Sequence, residues 1–190
     1  LKLAPPYICA LLFAIAAAPI AGHLTTHESI PEFPTLAQFI AHVFLLQSVL
    51  GFDGLSAGVW YIAIDFQLYA LLLLALWLAN RAMPNNFLTT ARTLLIALVL
   101  ASLFYFNRDD SWDNWAVYFF GAYGLGALVS WGTSRKQISA WLGLVFVLAA
   151  IALFIDFRSR IGVALFVAIT LCIGRCTGFI ESCPKSKLLG

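Results

Sequence analysis

Hydrophobic and polar positions fall along this chain in long blocks rather than in steps of two or of three to four. Apolar runs cover residues 3–22, 33–52, 54–80, 88–106, 114–134 and 137–155, and a last run starts at Ile161. That last run is short before Arg175 and reaches Ile180 if it continues past that charge. A helix needs about 20 mostly apolar residues to cross the hydrocarbon core of a bilayer. Blocks of this length therefore predict α-helices bathed in lipid. A closed barrel would need apolar and polar residues to alternate within each strand, and these runs do not alternate. The expected fold class is an all-α integral membrane protein, with residues 1–190 forming one polytopic domain.

Seven runs need not mean seven crossings, and the charges between them test the count, because basic residues on short loops favour the cytoplasmic side. If 33–52 does not cross and Lys2 is cytoplasmic, the inside holds Lys2, Arg81, Arg92, Arg135, Lys136, Arg175, Lys185 and Lys187. The outside then holds only Arg108, Arg158 and Arg160. If 33–52 does cross, the later loops invert and the bias reverses. The first arrangement predicts about six transmembrane helices plus one re-entrant or interfacial helix over 33–52. The polar content of that run agrees, with Gln38 and His42 four apart and Gln47 beyond them.

Composition sharpens this picture. Only 11% of the residues are charged and 62% are hydrophobic, whereas a soluble domain carries roughly 25% charged residues to face water. The lipid bilayer is thus the first partner, and a soluble enzyme or nucleic-acid-binding module is excluded. A net charge of +2 is too small to suggest a polyanionic ligand. Cys172 and Cys176 would share a helix face, but no further ligands stand nearby at zinc-like spacing, so no metal site is expected. His23 and His27 have helical metal spacing, yet Pro31 and Pro34 argue for a solvated loop there. Arg108, Asp109, Asp110 and Asp113 read as a second hydrated loop. The chain starts at Leu1 without a signal-peptide pattern and ends without an evident cap, which reads as an internal piece of a longer membrane protein.

The most informative segment is residues 58–74, where Asp65 stands in an apolar span. An ionised carboxylate at the bilayer centre costs about 3 kcal/mol on insertion scales. Asp65 should therefore face the bundle interior or a cavity, be protonated, or pair with a cation. On a helix, Tyr61, Asp65 and Tyr69 form one stripe, and Trp60, Ala63 and Gln67 form another. Interhelical hydrogen bonding is the plain role for Gln67, and a satisfied buried imidazole is the plain role for His42. For Asp65 a place on a substrate or proton path is the default. Gly121, Gly124 and Gly126, close to Tyr118 and Tyr123, read as a helix-packing series.

Trp60-Tyr-Ile-Ala63-Ile-Asp65-Phe-Gln67-Leu-Tyr69 resembles the W-S-L-A-x-E-x-Q-F-Y helix of the bacterial membrane-bound acyltransferase family 3. That family includes O-antigen and nodulation-factor O-acyltransferases. Asp65 stands where the family has Glu, and Tyr61 replaces the Ser. The opening Leu1-Lys2-Leu3-Ala4-Pro5-Pro6-Tyr7 is similar to the family's R-x-x-R-x-x-P-P-Y met partway through, with Lys2 on the second basic position. His42-Val-Phe-Leu-Leu-Gln47 is similar to the segment before the Trp helix, and Lys187-Leu-Leu-Gly190 to the lead-in to the last helices.

The resemblance implies an enzyme of the inner (plasma) membrane that moves an acyl group, commonly acetyl, from acyl-CoA to a hydroxyl of a cell-surface carbohydrate or lipid-linked glycan. Acyl-CoA is then the donor substrate, and no resident cofactor is implied. A base must take the hydroxyl proton as the acyl carbon is attacked. The family's His is expected on a helix upstream of the R-x-x-R motif, and His23, His27 and His42 do not match it. The catalytic residues expected within this chain are therefore only Asp65 and His42, and without its base the segment is not expected to turn over alone. Lys2, Trp60, Gln67 and Tyr69 are the expected substrate-binding residues. The alternative is a secondary transporter with Asp65 as its proton or cation site; it predicts inverted internal repeats, and none is evident. A purely structural membrane subunit would leave Asp65, Gln67 and His42 without a reason.

Overall fold

A computed structural model describes residues 4–24, 33–134 and 137–179. Seven α-helices follow in order: α1 (Ala4–Leu24), α2 (Leu36–Val43), α3 (Ala57–Ala82), α4 (Phe87–Phe104), α5 (Ala116–Gly132), α6 (Ala140–Ile155) and α7 (Ser159–Cys176). The only strands among the described residues are the two-residue pair β1 (Thr133–Ser134) and β2 (Gln137–Ile138), antiparallel with Thr133 opposite Ile138. The all-helical expectation holds, with each apolar run except 33–52 becoming one helix of nearly the predicted extent. Pro5 and Pro6 fall in the first turn of α1, where a missing N–H leaves no intrahelical bond unmade. α7 stops at Cys176 rather than running on to Ile180, because Gly178 adopts a positive φ of 74° and its N–H bonds back to the Arg175 carbonyl.

Fewer of the described helices reach membrane length than the sequence suggests. Gly58–Ala82, Pro84–Arg108 and Ser159–Cys176 are long and apolar enough to cross a membrane. Pro5–Ile20, Ala116–Gly132 and Ala140–Ile155 are apolar but shorter. Three membrane-length helices are thus established, and the expected six are not. Within 33–52, only the eight residues of α2 are α-helical. At 1.5 Å per residue α2 is about 12 Å long, far less than a hydrocarbon core of about 30 Å. Thr35 caps its start by accepting the Gln38 N–H, and turns follow from Phe44 onward, with Leu45 at a positive φ of 59°.

The chain divides into two compact units, Leu1–Ala70 and Leu71–Gly190, with α3 contributing to both. In the first unit Tyr7 and Leu11 of α1 pack with Leu55 and Val59, and Phe39, Val43 and Leu45 close around them. In the second, α4 to α7 form an antiparallel bundle in which α5 packs on α4 and α7, and α6 packs on the same two helices. The close approach of α5 depends on missing side chains. A Cβ on Gly121 would lie 2.8 Å from Leu103 Cδ2, and one on Gly124 would overlap Val99. Gly126 faces open space, so two of the three series glycines carry the packing reading.

Candidate functional site

The polar residues of the first unit are held by backbone groups. His42 is fully buried, with Nδ1 2.7 Å from the Gln38 carbonyl oxygen. A carbonyl only accepts, so the partners assign the ring proton to Nδ1. Nε2 then accepts the Leu55 N–H at 3.2 Å. Tyr7 donates its hydroxyl to the His42 carbonyl at 2.7 Å, and Gln38 Nε2 donates to the Asp53 carbonyl at 3.0 Å. Gln47 Nε2 reaches the Val59 carbonyl at 3.3 Å, immediately before Trp60. Three stretches singled out in the sequence, Pro5-Pro6-Tyr7, His42 to Gln47 and the start of the Trp60 helix, therefore meet around one buried imidazole. Both ring nitrogens of His42 are occupied, so no lone pair is free to accept a substrate proton. Its geometry is that of a clamp.

The two stripes on α3 separate. Ala63 is fully buried and Trp60 and Gln67 are half-buried, so this stripe faces inward. Tyr61, Asp65 and Tyr69 are exposed. Of the three ways the sequence leaves for Asp65 to meet its cost, a place in the interior is not the one seen among the described residues: Asp65 is exposed, with Tyr61 and Tyr69 one turn away on either side. Helical periodicity explains this, since Asp65 is two residues from each of the inward-facing Ala63 and Gln67 and so turns about 200° away. Lys2 lies outside the described residues, as does His27.

A polar cluster in the second unit went unread in the sequence. Tyr118 donates to Asp110 Oδ1 at 2.7 Å, and Arg158 Nη1 approaches the same oxygen at 3.0 Å. Arg160 Nη2 donates to the Tyr118 hydroxyl oxygen at 2.9 Å, and its guanidinium lies over the Tyr118 ring at 4.8 Å. The Tyr118 hydrogen bond, and after it the Arg158 hydrogen bond and charge, hold the Asp110 carboxyl below the usual aspartate range. Arg158 also pairs with Asp156 at 3.3 Å and reaches the Arg108 carbonyl at 3.4 Å. Asp110 is therefore part of a knot that fastens the α4–α5 link to the α6–α7 link. Separations of 40 residues and more hid this from any local pattern.

Among the described residues no three His, Cys, Asp or Glu side chains converge as metal ligands. Cys172 is buried with its Sγ 3.2 Å from Thr133 Oγ1, which joins α7 to β1. Against known proteins the chain stands apart: no family profile, curated protein or solved structure matches it.

Proposed function

We propose that this chain is part of a membrane O-acyltransferase that carries an acyl group, most simply acetyl, from acyl-CoA to a hydroxyl of a cell-surface glycan. The observation that carries the reading is the convergence of the Pro5-Pro6-Tyr7, His42–Gln47 and Trp60 stretches through Tyr7, His42 and Gln47. These are the stretches that resemble the acyltransferase family. In this reading the three membrane-length helices and the three shorter apolar ones all cross the inner membrane, and α2 lies at its surface or re-enters it. Tyr61, Asp65 and Tyr69 supply a carboxylate and two phenols to a polar substrate, while Trp60 and Gln67 fix the helix behind them. Transfer breaks the thioester, forms an ester with the acceptor oxygen and releases the CoA thiolate; the acceptor proton passes to a base other than His42. Asp65 acts on orientation, and a misaligned acceptor costs on the order of 100-fold in rate.

The test uses membranes from cells expressing the full reading frame, supplied with acetyl-CoA labelled in the acetyl group. Label should enter the glycan fraction, and Asp65→Asn should lower the rate at least tenfold at equal membrane levels. An Asp65→Asn protein that transfers at the wild-type rate would remove the central support. Substrate-driven proton uptake by sealed vesicles, with no label transfer, would instead favour the transporter reading.

A further inference from the structure

Arg92 is the sixth residue of α4, about 8 Å inside the start of an apolar helix. Its guanidinium lies over the ring of Trp141, in the first turn of α6, at 4.8 Å. The edge of that ring packs against Gly132, where a Cβ would come to 3.0 Å from it. Arg92 Nε is sealed from solvent and donates to nothing. Among the described residues the ion pairs belong to Arg158, and no carboxylate pairs with Arg92. A fixed cation at this depth, stacked on one face and unpaired in its plane, calls for an anion. The fork of N–H donors in that plane matches phosphate oxygens.

From Trp141 the exposed residues Leu144, Val147 and Ile151 continue along one side of α6 at steps of three, three and four. They lead away from the helix start, toward the middle of the apolar span. A ligand that satisfies both features has a phosphate at one end and a hydrocarbon chain running inward from it. We propose that Arg92 and Trp141 bind the headgroup phosphate of a phospholipid, with one acyl chain along Leu144, Val147 and Ile151. This site does not depend on the acyltransferase reading.

The full protein, purified in a non-ionic detergent, should retain added phosphatidylglycerol as a discrete adduct in native mass spectrometry. Arg92→Gln should weaken that adduct about tenfold, the scale of losing a charge-assisted hydrogen bond, and Arg92→Lys should fall between. Val147→Ser should weaken it by a smaller factor with the charge intact. Because Arg92→Lys keeps a cation over Trp141 and loses only the fork of donors, its unfolding midpoint in lipid-free detergent should match the wild type, which separates lost binding from lost fold. Equal retention by Arg92→Gln, or equal retention of uncharged diacylglycerol by the wild type, would overturn the site. Displacement of the lipid by millimolar inorganic phosphate or by coenzyme A would assign the anion to a soluble source and overturn the lipid.

Discussion

The two units bury different things. In Leu1–Ala70 the interior contains His42, Gln47 and Ser48, and its short helix and turns are held to α1 and α3 by side chains that bond to main chain. In Leu71–Gly190 the buried positions are mostly apolar, from Gly124 and Ala149 to Leu125 and Phe120, and the ion pairs among the described residues lie in the links between helices. Its buried polar side chains, Ser102, Asn107 and Thr133, sit among these, and two of them serve main chain: Ser102 accepts the Gly121 N–H at 2.8 Å and Asn107 donates to the Tyr118 carbonyl at 2.9 Å. The comparison teaches where specificity comes from. Between helices in lipid no hydrophobic force chooses a partner, so a bundle relies on close packing of small residues. A chain reversal has main-chain groups that no helix satisfies, so it relies on polar side chains.

Stability measurements sharpen that contrast. The largest effect is expected at His42, because His42→Ala leaves the Leu55 N–H and the Gln38 carbonyl without their side-chain partner. The orphaned Leu55 N–H costs about 1–3 kcal/mol and the cavity left by the imidazole adds to it, so a loss of about 3 kcal/mol should appear in an SDS-unfolding titration of micellar protein. A loss below about 1 kcal/mol would mean that the imidazole does not clamp this unit. Next comes Gly124→Ala, which overpacks α5 against Val99 and Phe120 and should cost about 2 kcal/mol in the same assay. Gly126→Ala meets no neighbour within 4 Å and should be neutral or slightly stabilising through helix propensity. Equal effects at the two glycines would break the close-packing account.

The smallest effect is a pH dependence at the charged end of the second unit. Asp110 is held below its ordinary value of about 3.8, first by Tyr118 and then by Arg158. A depressed carboxyl contributes stability that is fully present above the unfolded value and is lost as pH falls through the folded one. Unfolding midpoints should therefore drop as pH is lowered from about 4, and Asp110→Asn should flatten that drop. An unchanged slope in the variant would show that the knot adds nothing to stability.

Much of this fold was legible because lipid imposes coarse rules. Run length located six helices, and loop charge together with Gln38, His42 and Gln47 set 33–52 apart from them; its α-helical part is the eight residues of α2. The plain role for His42 was also legible, from a lone imidazole on a largely apolar segment. The outward turn of Asp65 was not. Two polar stripes on one helix are equivalent until a neighbour packs on one of them, and burial of Ala63 decided between them. The Asp110–Arg158 pair was illegible for a different reason, since it joins two loops through a bundle whose helix order the sequence does not state.

Leu45 bears on how the chain is threaded. A leucine at a φ of 59° is sterically unfavourable, and glycine would make the same reversal at less strain. Yet the Leu45 side chain packs into the Tyr7–Leu11 cluster, so the reversal is anchored by what leucine touches as well as by how the backbone bends. Hydropathy alone would let 33–52 pass straight through a bilayer. If the whole of 33–52 were one helix, its 20 residues would span about 30 Å, enough to cross, and every later helix would enter from the opposite side. One anchored turn therefore separates two topologies for the same string of apolar residues.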